Sequence, residues 1–178
     1  IEYVEGLVKP GRVTAKVYAG AETTNPETTP IGEGEGYMAH TENTAYGWTA
    51  PGQSFSWGWS PAAVPWILQN VYEAYEYSGD PALLDRVYAL LKEESHFYVN
   101  YMPHKAGSSS GDRLTTGVAY SPEQGPLGTD GNTYESSLVW QMLNDAIEAA
   151  KAKGDPDGLV GNTTDCSADN WAKNDSGN

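Results

Sequence analysis

The chain has 178 residues, enough for one domain, and carries 24 Asp and Glu against 10 Lys and Arg, a net charge of −14. That balance argues against phosphate neutralisation, so nucleic acid and anionic membrane surfaces are set aside as partners. Six Trp and twelve Tyr with only 19% charged residues suit a neutral polar ligand such as a sugar, and the single cysteine, Cys166, permits neither an internal disulfide nor a paired thiolate metal site.

The opening, IEYVEGLVKPGRVTAK, has no basic n-region or apolar h-region and is not a signal peptide. It reads as the last turns of a helix stopped at Lys9-Pro10-Gly11. From Pro10 to Trp59 the sequence is turn-rich, and AGAETTNPETTPIGEGEG, Ala19 to Gly36, has no apolar periodicity and reads as a long excursion. No apolar run approaches the length of about 18 residues that a membrane span needs.

A first helix is predicted from about Pro61 to Tyr77, with Val64, Leu68, Val71, Tyr72 and Tyr75 on one stripe and Gln69, Glu73 and Glu76 away from it. Gly79 supplies a stop, and Asp80-Pro81 an N-cap followed by proline at the first helical position. A second helix then runs to about Tyr101 with Leu84, Val87, Tyr88, Leu91, Tyr98 and Tyr101 on one side. So short a connection makes the two an antiparallel hairpin. A third helix is predicted from about Thr133 to Lys153, on Leu138, Met142, Ala146 and Ala150, with Val139, Leu143 and Ile147 beside them. Asn132 and Glu135 stand in a capping-box relation at its start.

Three helices and two long loops cannot bury six tryptophans among themselves. The fold class is therefore all-α, with residues 1–178 read as a single segment of a larger helical domain and both ends cut.

The most telling stretch is GWTAPGQSFSWGWSP, Gly47 to Pro61, where Trp48, Phe55, Trp57 and Trp59 crowd a Gly/Pro loop that helix packing does not require. Indole faces suit the C–H face of a pyranose, but the same rings could fill a core. Upstream, His40, Glu42 and Asn43 could read neighbouring hydroxyls, or knit the backbone of their own turn. Glu123, framed by Pro122 and Pro126 in YSPEQGP, is a carboxylate on a stiffened backbone, a geometry suited to proton transfer and equally to a plain turn. Asp155-Pro156-Asp157-Gly158 is rejected as a calcium loop because Leu159 and Val160 stand where an acid or amide and a glycine belong. His96 and His104 lack helical i+4 partners, and no metal or cofactor is expected.

MAHTENTAYGW followed by FSWGWSPAAVPWILQNVYEAYEYSGD, and YSPEQGP ahead of GNTYESSLVWQMLNDAIEAA, resemble family 95 of the glycoside hydrolases, the 1,2-α-L-fucosidases. The resemblance covers nearly the whole chain and implies a central section of an (α/α)6 barrel, with inverting release of L-fucose from terminal Fuc-α1,2-Gal. It makes Glu123 the general acid. It likens Glu42 and Trp57 to fucose-binding positions, with His40, Asn43 and Trp59 as companions. The base side of that family uses an asparagine of an Asn-x-Asn motif, polarised by an aspartate; no Asn-x-Asn occurs in the 178 residues, and neither role is transferred. The implied partners are a fucosylated oligosaccharide and the rest of the catalytic domain. The implied location is the exterior or surface of a bacterial cell. The segment alone is expected to hydrolyse nothing. A non-catalytic carbohydrate-binding module, another (α/α)6 glycosidase and a protein-binding adhesin domain remain as alternatives.

Overall fold

The computed structural model describes residues 1–22, 25–52, 59–105, 115–121, 128–158 and 160. Helix α1 spans Glu2–Thr14 and leads into a π turn, Ala15–Ala19. Helix α2 spans Ala63–Ser78 and α3 spans Pro81–Lys105. Strands β1 (Val118–Ala119) and β2 (Thr129–Asp130) precede α4, Thr133–Ala152.

The hairpin is built as its sequence dictates. Gly79 closes α2 with φ 63°, a left-handed value that suits glycine, and its N–H donates to Tyr75 O at 2.8 Å. Asp80 Oδ1 then accepts from Ala82 N at 2.9 Å, with Pro81 at the first helical position. Helix α4 lies against both α2 and α3, burying Leu138, Val139, Met142, Leu143, Ala146, Ala149 and Ala150.

Helix α1 does not stop at Lys9-Pro10-Gly11; it runs on through Pro10 to Thr14. Proline removes one backbone bond, but the face made of Val4, Leu7, Val8, Gly11 and Arg12 is buried as a continuous strip, and that tertiary burial prevails. Gly11 is part of the reason. Met38 N donates to its carbonyl at 3.1 Å, and a Cβ there would lie 3.0 Å from Met38 O.

Helix α3 is the centre of the molecule. The predicted stripe is buried, with Glu94 in step with it, and so are Leu90, Glu93 and Phe97 on the adjoining side. That second side is covered by the excursion itself. Gly32 lies on Ala89, Gly34 on Glu93 and Arg12, and Gly36 (φ 127°) on Phe97, each too close for a side chain.

Arg12 fastens this loop. Its Nε and one terminal nitrogen donate to Glu93 Oε1 and Oε2 at 2.6 and 2.9 Å, and its remaining N–H groups reach the carbonyls of Pro26, Thr29 and Pro30 at 3.2, 2.8 and 2.9 Å. Gly32 N adds a bond to Glu93 Oε2 at 2.8 Å. Arg12 is 1% exposed and Glu93 is fully buried, so the pair is sealed from water, with all five guanidinium N–H groups used.

Candidate functional site

Three pieces of chain singled out by sequence meet around the turn Trp59–Ala62. Ala39 forms a parallel bridge with Ala62, which sets the His40 loop beside the turn. Tyr120 N donates to Trp59 O at 2.8 Å, which sets the end of β1 against it. Strand β1 pairs antiparallel with β2, Val118 with Asp130 and Ala119 with Thr129, so the chain on either side of residues 122–127 is held together.

The turn is anchored from below by α4. Glu135 is fully buried; its Oε1 lies 3.1 Å from Ser60 Oγ, within hydrogen-bond distance, and its Oε2 accepts from Ala62 N at 3.0 Å. Asn132 caps the helix, its Oδ1 accepting from Glu135 N at 2.8 Å, while its Nδ2 donates to Ala119 O at 3.3 Å. The capping relation read from sequence is therefore half made. The asparagine caps, but the glutamate turns away from Asn132 to hold the neighbouring turn. Burial pushes the Glu135 carboxyl up to about 8, which favours its uncharged form at neutral pH.

His40 is completely buried; its ring lies 5.0 Å from that of Trp59 and 6.5 Å, edge-on, from that of Tyr18. Its Nδ1 lies 2.9 Å from Thr49 O, an acceptor only, which fixes the proton on Nδ1. Nε2 then carries a lone pair and has no hydrogen-bond partner among the described residues. Burial brings the ring down to about 4, so it is neutral near pH 7. With a folded-state value below the free one, His40 contributes stability that is full above about pH 6.5 and is lost as pH falls toward 4. Between pH 7 and pH 5 urea unfolding is expected to show about 2 kcal/mol more loss in the native chain than in His40→Gln. Equal losses would place the imidazole in solvent.

Of the other sequence-predicted residues, Glu42 is exposed and its carboxylate lies against Gly52. Asn43 is half-buried and committed to its own surroundings: Nδ2 donates to His40 O at 2.6 Å, and Oδ1 accepts from Tyr3 Oη. Trp59 is 8% exposed, packed on His40 and Tyr18. Trp48 is half exposed. Trp57 and Glu123 lie outside the described residues, as does Cys166.

Among the described residues no group of three or more His, Cys, Asp or Glu is arranged to hold a metal ion. Asp157 instead accepts from Tyr88 Oη and Lys92 Nζ, both at 2.8 Å, tying the end of α4 back to α3. No helix among the described residues is long and apolar enough to cross a membrane. A separate open cleft of about 520 Å³ runs between α2 and α4, lined by Gln69, Tyr72, Trp140, Gln141 and Asp145; none of the sequence-predicted residues borders it.

Residues 1–173 match the family model of the glycosyl hydrolase family 95 catalytic domain. The chain belongs to this family. A relative in Aspergillus niger, described as probable alpha-fucosidase A, is 30% identical over 130 residues, which are 71% of this chain and 16% of the relative. The family 95 chain thus spans under a fifth of that relative's length. Among the described residues its helices, with almost no sheet, agree with a section of the family's all-α (α/α)6 toroid. Sequence reasoning missed Glu135 as anything but a cap and did not anticipate the burial of Arg12, Glu93 or Glu94. The one available signal was a charge at a core position of a strong apolar periodicity, and Glu94 and Glu135 both fit it.

Proposed function

We propose that this chain supplies the acid side and part of the sugar pocket of an inverting 1,2-α-L-fucosidase acting on terminal Fuc-α1,2-Gal outside the cell or at its surface. The observation that supports this reading most is the convergence of three loops on one turn. The His40–Glu42 loop, the turn after the Trp57 segment and the strand leading into Ser121-Pro122-Glu123 are tied by the Ala39–Ala62 bridge and the Tyr120–Trp59 hydrogen bond.

The chemistry follows from the substrate. A galactosyl alkoxide is a poor leaving group, so the glycosidic oxygen must receive a proton as its bond to fucose breaks. Glu123 is the group proposed to deliver it, from a backbone stiffened by Pro122 and Pro126. Trp57 would offer an indole face to the sugar, and Glu42 a carboxylate to its hydroxyls. His40 would offer the acceptor at Nε2, with Trp59 and Asn43 holding the wall and the turn. The water-activating groups belong to the remainder of the catalytic domain, as does the rest of the barrel.

The intact catalytic domain, incubated with Fuc-α1,2-Gal-capped lactose, is expected to release fucose whose first-formed anomer is β. It should prefer this substrate to α1,3- and α1,4-fucosides and to glucosides. Release of the α anomer would refute inversion. Hydrolysis of glucosides alone would refute the specificity. Binding of fucosides without any release would favour a carbohydrate-binding module.

A further inference from the structure

We infer that Glu135 is a positioning residue, whose carboxyl joins the Trp59–Ala62 turn to the start of α4 and so holds Trp59, the residue after the aromatic loop, against Tyr120, two positions before Pro122. The catalytic consequence rests on the fucosidase reading above; the frame itself does not.

The hydrogen bonds close a ring. Trp59 O accepts from Tyr120 N at 2.8 Å and Ala119 O from Asn132 Nδ2 at 3.3 Å. Asn132 Oδ1 accepts from Glu135 N at 2.8 Å, and the Glu135 carboxyl returns to Ser60 Oγ and Ala62 N. Around this ring lie both chain exits that matter: residues 53–58 end at Trp59, and residues 122–127 begin two positions after Tyr120. A helix is stiff, so a turn bonded to its first residues inherits its position. Among the described residues, Glu135 alone spans from α4 to the turn at two points, and it does so with no exposure to water.

The protonation state fits the task. Held uncharged by burial, Glu135 can donate from Oε1 to Ser60 Oγ, whose hydroxyl proton then points to Tyr134 Oη at 3.3 Å, while Oε2 still accepts from Ala62 N. Glutamine reproduces this pattern, with its amide N–H toward Ser60 and its oxygen toward Ala62. Leucine keeps the volume and deletes both links, leaving the Ala62 N–H unpaired.

Amide hydrogen exchange in the 178-residue chain reads the frame directly. Glu135→Gln is expected to leave the Tyr120 amide within about twofold of its native rate, and Glu135→Leu to speed it by at least about tenfold with amides in the middle of α3 unchanged. Should the leucine variant not fold, Ser60→Ala cuts one of the two links and must give a smaller change of the same selectivity. In the intact catalytic domain, kcat on the fucoside should follow the same order, kept by Gln and lowered by about tenfold or more by Leu. An unmoved Tyr120 amide in both Leu and Ala variants, or equal acceleration of Tyr120 and the α3 core, would overturn the inference. So would a Gln variant as impaired as Leu. A native domain that cleaves no fucoside would defeat the proposed activity, while the exchange rates would still decide the role of Glu135.

Discussion

Glu123→Gln in the intact catalytic domain is expected to lower kcat on a Fuc-α1,2-Gal substrate by about three powers of ten, with substrate affinity kept. Glutamine matches the shape of the carboxylic acid but has no acidic proton to transfer. The loss should shrink sharply on a fucosyl fluoride or an aryl fucoside with an acidic phenol, because those leaving groups depart with little protonation. That contrast separates proton donation from a general disturbance of the loop, which would depress every substrate alike. Full turnover of the natural linkage by Glu123→Gln would end the assignment.

The second large effect concerns stability. Replacing either member of the Arg12–Glu93 pair alone, by Arg12→Met or Glu93→Leu, is expected to cost about 3–5 kcal/mol in urea unfolding, because the partner's charge is then left buried and unpaired. Glu93→Leu strands a guanidinium that still holds three carbonyls; Arg12→Met strands the carboxylate and releases those carbonyls as well. The double variant should recover part of the loss, since its interior contains no lone ion. Strict additivity of the two single losses would show that the groups act independently, and losses below about 1 kcal/mol would show that water reaches the pair.

The helices were legible because their signals are local. Gly79-Asp80-Pro81 carries its own turn chemistry, and the α2 and α4 stripes bury the residues that the helical period marks. Helix α1 was misread at Pro10-Gly11 because a local breaker was overruled by contacts with Tyr37 and Met38, 26 and 27 positions further along. The second face of α3 was invisible for the same reason: Glu93 looks like a solvated edge until the 32–36 stretch is laid across it. At the site, periodicity revealed none of the candidate residues. The aromatic loop and the proline frame were found by composition, their roles came from resemblance, and Glu135 was hidden because a capping motif offered a sufficient local explanation.

Arg12 also imposes an order of assembly. The carbonyls of Pro26, Thr29 and Pro30 have their guanidinium donors only where α1 presents Arg12 to Glu93 on α3, so the excursion lacks these three bonds until those two helices have met. Glu27, Glu33 and Glu35 remain on its outer surface. A glutamate-specific protease would therefore cut this stretch in any state where α1 and α3 are apart and spare it once they dock, which makes the least regular part of the chain a late-forming seal on the assembly of the helices beneath it.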